Sequence, residues 1–497
     1  GELLREIPGM GAVRRGPVGL DPVVRGLRET EVGVYLDYTR LFPGGPARMD
    51  SPLSHLDPSF VQSIDVVKGP YALTWGAGNL SAVRVTTKNV EDLPRRSLGS
   101  SVLSGYDSNL NAFENAVSLQ GRRENLSFYV HGAHRQGSDY EAGNGRTVPA
   151  NFLSREVRAK LGYRLAPDQQ VVLSAGYQEQ DDVDYPGRLL NARYFDVQNY
   201  SARWSLDRQS GTLREASVMG YHHRIDHGMD NRGKPTAEPD STRMPPFALD
   251  VSVRADMDVT GGRYSTTWAP DAVTELQLGG DFYHARKNAI RRIARKRDGF
   301  VPPPLRPQPD LMWPDVTLTD AGLFGRLDRS FGEIWNASGT VRLDLVRARA
   351  DTLGSFFREH VSTDRTDEME GHLSGAFTLN ASLSRHWQVT AGLGSAIRTP
   401  DLKERFSDRI PASKAQTSAE FVGTPTLDPE RSTQADIWLE GRYEQFSLTL
   451  NGFARRIDDY VSLRPTDLPK RLPLSPPTVF RYASSTALFY GGEMTLR

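Results

Sequence analysis

The segment NLSFYVHG, Asn125 to Gly132, alternates strictly: Leu126, Phe128 and Val130 fall on one face, and Ser127, Tyr129 and His131 on the other. Side chains of an extended strand point to opposite faces in turn, so a period of two predicts a strand between two different environments. The pattern recurs. ELQLGGDFYH places Leu276, Leu278, Gly280 and Phe282 together, and LFGRLDR sets Leu323, Gly325 and Leu327 against Phe324, Arg326 and Asp328. WQVTAGLG repeats it with Trp387, Val389, Ala391 and Leu393, and FSLTLNG with Phe446, Leu448 and Leu450. From about residue 97 to the end the chain reads as strands. Some joins are short, such as LAPDQQ (165–170); others, such as 226–250 and the proline-rich FVPPPLRPQPD (300–310), are long and polar. Tight turns alternating with extended loops are the mark of a transmembrane β-barrel. A soluble β-sandwich or solenoid does not need long loops at nearly every second join.

Composition agrees. A chain of 497 residues exceeds an ordinary soluble domain unless that domain is a large barrel. It holds 61 Lys and Arg against 61 Asp and Glu, so no global field points to nucleic acid. The basic run RRIARKR (291–297) reads as a solvated loop. With no cysteine there is no disulfide, thiolate metal site or thiol nucleophile. No run approaches the ~18–20 apolar residues of a spanning helix, but barrel strands never produce one. A hydrophobic content of 38% suits a barrel with a wet interior.

Residues 1–92 differ in texture: they are rich in glycine and proline and mix short elements. GELLREIPGM is a helical turn or two stopped by Pro8 and Gly9. GVYLDY, VQSIDVVKG and SAVRVTTK read as short strands. The expectation is an α+β domain at 1–92, followed by an all-β barrel at 97–497. Gly69, Pro70, Gly76 and Gly78 permit tight turns close to a surrounding wall.

In order, LLREIPGM, DPVVRGL, VYLD and SIDVVKGPYALTWGAG resemble the plug domain of TonB-dependent outer-membrane receptors. GSAIRTPDLKERF, GTPTLDPERSTQADIWLE, GFARRIDDYVSL and YGGEMTLR resemble segments of that family's barrel. The resemblance implies a plug seated in the lumen of an outer-membrane barrel, lipid around it, and an inner-membrane TonB energy-transducing partner. It implies 22 strands in the full barrel. The chain after residue 97 has room for about 14 to 16, so C-terminal strands are expected to be missing, and the N-terminal coupling box as well. An open sheet edge in lipid would not be stable by itself. Arg25, Arg84, Glu404 and Glu430 are charges able to pair between plug and barrel lumen, the alternative being that each is simply solvated in a wet interior.

Within the receptors, RRGPVGLDPVVRG, GGPARMDSPLSHLDP, DHGMDN and MWPDVTLTDAGLFG are similar to the TonB-dependent copper receptor group. In DHGMDN, a strand over 221–229 would point His227 and Met229 the same way. Imidazole with thioether is a soft pair suited to Cu(I), and poor for magnesium, calcium or ferric iron. By the resemblance Met49 supplies a second thioether. The group carries a cysteine four residues before that methionine, and here the position is Gly45. The expected metal set is Met49, His227 and Met229, with His55, His222, His223 and His284 as weaker substitutes. Copper enters as a bound substrate ion, and no cofactor is required. A ferric-siderophore or other metal-chelate receptor of the same fold is the runner-up. No Gly-x-Ser-x-Gly, His-Glu-x-x-His or paired-carboxylate constellation supports an enzyme. A passive pore would not need a folded domain of ~90 residues ahead of its strands.

Overall fold

Hydrogen bonding turns the alternation into a wall. The computed structural model describes residues 2–91, 93–302, 309–361, 365–410, 419–472 and 475–497. NLSFYVHG lies in the strand Leu126–Gly137, antiparallel to Ala112–Arg123 on one side and Phe152–Ala166 on the other. Ser127, Tyr129 and His131 are buried, while Leu126 and Val130 are exposed. A soluble sheet buries its apolar face; here the apolar face looks outward. That inversion is what a lipid-facing wall around a polar lumen requires.

Seventeen strands, one of them the three-residue Glu420–Val422, form a closed barrel among the described residues, against the 22 expected of the full receptor wall. Val479–Leu496 follows Ser447–Thr466 in antiparallel register and neighbours Ser97–Asp107 in the circular order. This seam is unusually open, with Leu98 76% and Tyr490 84% exposed. Short joins at 124–125, 167–168 and 269–273 gather at one rim; longer ones at 184–190 and 231–248 gather at the other. Tyr163, Trp268, Phe331, Trp335, Tyr443 and Phe446 stand exposed near the short-join rim, an aromatic girdle of the kind that marks a membrane boundary. The basic run departs from expectation. Arg291 to Arg295 belong to the strand Thr274–Arg295, and Arg291 is buried with Asp310 at 3.1 Å. Residues 303–308 of the proline-rich loop lie outside the described residues, as do Gly1 and Asp92 at the expected ends of the first domain.

The first domain contains the helix Glu2–Arg5 and a three-stranded sheet of Met10–Arg15, Gly19–Val24 and Leu27–Arg28. A four-stranded sheet follows, ordered Thr39–Arg40, Val32–Leu36, Ser81–Thr87, Val61–Val67. Val32–Leu36 pairs in parallel with Ser81–Thr87 and is buried along its whole length, so its sequence is continuously apolar rather than alternating. Ion pairs tie the domain to widely separated strands and to the short helix Leu402–Phe406. Lys160 reaches Asp37 at 3.1 Å, Lys403 reaches Glu29 at 2.6 Å, and Lys68 reaches Glu493 at 2.7 Å. Arg342 donates to the Leu73 carbonyl at 3.4 Å. A domain packed beside the sheet could not touch all of these strands at once. It fills the lumen. Gly69 shows how closely: at φ 125°, a Cβ there would lie 2.6 Å from Gln434 Nε2 on the wall.

Candidate functional site

The strand Leu213–Asp230 turns its odd-numbered side chains inward from residue 219, burying Met219, Tyr221, His223, Ile225, His227 and Met229. It stays paired as far as Asp230, so DHGMD is wall rather than loop. His227 and Met229 therefore share a face because of strand geometry.

The plug loop 44–50 meets them. Asp50 shapes this loop by accepting from the Gly44 amide, from the Gly45 amide at 3.2 Å and from His55 Nε2 at 3.0 Å. Burial pushes the Asp50 pKa up, but the hydrogen bond and charge of His55, then the charge of His227 and the Gly44 amide, outweigh it. The carboxyl titrates below its usual range. Arg48 holds the loop to the plug body through Asp21 at 2.7 and 2.9 Å. Gly45 lies against His227: a Cβ there would come within 2.5 Å of Cε1 and 3.0 Å of Nε2.

Met49, His227 and Met229 line one cavity of ≈ 160 Å³ near the long-loop rim, shared with Asp50, Met312, Arg188 and Arg291. Its floor is plug, its sides are wall, and Gly187 to Leu190 and Ser475 from the long joins close over it. His227 Nδ1 is buried and has no hydrogen-bond partner among the described residues. The donors collected here are thioethers, one imidazole and one carboxylate, a mainly soft set. Among the described residues no group of three or more His, Cys, Asp or Glu is placed to hold a metal ion. Reading the sequence missed Asp50 and Met312. Asp50 had a local signal, a carboxylate five and six residues after a glycine pair; Met312 comes near only through the closure of the wall.

The other candidates scatter. His55 is buried on Asp50, and His223 is buried with Nδ1 on Asn199. His222 and His284 are corrections: both turn to the opposite face of their strands, where they bond Thr260 and Thr319 at 2.9 and 2.8 Å, away from the cavity. Arg25 reaches the wall at Asp436 (2.8 Å), Glu493 (2.7 Å) and Asn451, over the face of Phe453 at 4.1 Å. Arg84 pairs instead inside the plug with Asp65 at 2.9 Å, stacked on Trp75. Glu404 and Glu430 both hold wall residue Arg398, whose Nη1 donates to Thr30 of the plug at 2.9 Å, so they meet the plug through an intermediary.

Comparison with known proteins follows the same lines. The copper transporter OprC superposes with a TM-score of 0.85 at 22% identity, covering 100% of this chain and 75% of that one. A double mutant of the Serratia marcescens hemophore receptor HasR, in complex with HasA and heme, gives 0.78 at 16%, covering 100% and 76%. At such identities these likenesses speak to the fold alone. The heme/hemopexin utilization protein C of Haemophilus influenzae is 21% identical over 93% of this chain and 67% of its own length. A hemin receptor of Yersinia pestis is 26% identical over 37% of this chain, which spans 27% of that relative. Among the described residues no helix is long and apolar enough to cross a membrane, which says nothing of a barrel that crosses with strands. The family model for the TonB dependent receptor-like beta-barrel matches residues 75–497, and that for the TonB-dependent Receptor Plug Domain matches 1–83. The chain therefore belongs to the TonB-dependent receptors, barrels of the outer membrane that are not enzymes.

Proposed function

We propose that the protein is an energy-coupled importer whose cargo is copper, captured between the plug loop and the wall and released when the inner-membrane TonB complex displaces the plug. The observation that carries this reading is the meeting of Met49, His227 and Met229 in one buried cavity at the rim of long loops, the outer rim in such barrels. Thioether and imidazole favour Cu(I) and tolerate Cu(II). Asp50 offsets the missing thiolate, since its carboxylate oxygen would lie 3.5 Å from a Cβ at Gly45. The cavity is also small. At ≈ 160 Å³ it falls below the ~300–1,000 Å³ of organic-ligand pockets, which supports a bare ion or compact complex over a porphyrin.

One feature favours the second reading, an anionic metal chelate. Arg188 and Arg291 both line the cavity, and although Asp310 neutralises Arg291, Arg188 remains a cation facing the cargo. Metal analysis of the purified protein, supplied with copper and ferric chelate in competition, decides between them. Copper retention lost in His227→Ala and Met229→Ala supports the copper reading; copper unaffected by either variant refutes it.

A further inference from the structure

We propose that copper enters this cavity as a complex with one short amino carboxylate, whose amine ligates the metal and whose carboxylate docks on Arg188. This cargo form rests on the copper reading. Arg188 lines the same cavity as Met49, His227 and Met229, on the join that closes over it. It is half-buried, and its guanidinium has no ion-pair or hydrogen-bond partner among the described residues.

Charge comes first. A pocket for a bare cation gathers negative charge, but two arginines line this one against a single carboxylate, Asp50. Asp50 is already engaged with the His55 ring and the loop amides. Asp310, which lies 3.1 Å from Arg291, also reaches Arg471 at 2.5 Å, so one negative charge serves two guanidiniums. Copper alone would add to the positive excess, and an anion carried in with the metal offsets it. A carboxylate suits Arg188 because both groups are planar and meet through two parallel hydrogen bonds.

The lining agrees. Pro46, Ala47, Leu190, Val251, Val253 and Leu472 all face the cavity. Its ≈ 160 Å³ is far more than one ion fills, since a water needs only ~10–15 Å³ to be held. Waters packed round a bare ion would face hydrocarbon there without hydrogen-bond partners, whereas an aliphatic ligand body fits. At the ~30 Å³ that a water takes up in the liquid, the space holds roughly five heavy atoms. That is the size of glycine or alanine and well short of an aromatic amino acid. The donor set also has room for the ligand. Two thioethers and one imidazole leave a fourth position open, and an amine nitrogen serves Cu(I) and Cu(II) alike. The amine gives its proton to water when the complex forms outside.

The test is equilibrium dialysis of the full chain with copper and radiolabelled alanine. Copper is given as the cuprous ion under anaerobic conditions and, separately, as the cupric ion. Alanine is expected to be retained one per copper, to be lost when copper is omitted, and to tighten copper binding about tenfold or more. Phenylalanine should be neither retained nor tightening. Arg188→Met should lose the label and, with the cation gone, bind copper alone more tightly than the unsubstituted protein. Copper retained without alanine, or phenylalanine carried as readily as alanine, overturns the amino-carboxylate cargo and leaves the copper reading intact. Label held equally by Arg188→Met, or copper alone held more weakly by it, overturns the part given to Arg188. The comparison of alanine with phenylalanine needs no variant, so it decides even where Arg188→Met fails to fold. No copper retained in either oxidation state overturns the copper reading itself.

Discussion

Gly45 is a residue whose importance comes from an absent side chain. Its Cα faces the His227 ring so closely that Gly45→Ala would force the imidazole aside. Copper affinity of that variant is expected to fall at least tenfold by competition titration, with the barrel still folded, because the clash is confined to one ring. Asp50 acts differently. It orients His55 and holds the loop amides, so Asp50→Asn should weaken copper binding by roughly 10–100-fold. Equal affinity in Asp50→Asn and the unsubstituted protein would remove the carboxylate from the site. At this scale sequence reading went some way: His227 and Met229 share a face by their i, i+2 spacing, and Met49 was found only through family resemblance. Met312 carried no signal, since a buried methionine on a strand looks the same beside a cavity as inside a core.

At the scale of elements, the plug is held by a few charges spread round the wall. Arg25 is the densest clamp. Arg25→Ala would leave Asp436 buried without its cation, at a cost of about 3–5 kcal/mol to docking. Faster cleavage of the plug by added protease is the expected result, and cleavage unchanged from the unsubstituted protein would show the clamp to be dispensable. Glu29 adds a pH dependence. Burial pushes its pKa up, yet Lys403, Arg48 and Arg15 more than reverse this, bringing it from 4.5 down to about 2. A carboxyl whose folded-state pKa is lowered stabilises the folded protein fully above about pH 4.5, and that stabilisation is lost as pH falls toward 2; the share owed to Lys403, which lies outside the plug, belongs to docking, since Arg15 and Arg48 stay with Glu29 in the plug. In Glu29→Gln, docking should be weaker at neutral pH and its fall across this window shallower, measured by the same protease assay. Strand existence was legible here because alternation is local. Partner choice was not: Arg25 and Arg84 look alike in the chain, but one reaches Asp436 and the other folds back on Asp65.

For the whole molecule, the lumen is closed because the plug occupies it. Deleting residues 1–92 should convert a silent protein into one that conducts in planar bilayers. Equal conductance with and without those residues would mean that the plug does not seal the barrel. By itself, the sequence determined that strands form and pointed to a membrane-spanning barrel, since alternation and uneven joins are written in neighbouring residues; the outer membrane came from the family resemblance. Only the tertiary structure decided which face meets lipid, which charges clamp the plug, and that a loop at residues 44–50 touches a strand ending at residue 230. The reason is physical. Side-chain direction follows from local backbone geometry, but contact between distant segments depends on how the whole wall closes, and no local pattern encodes that.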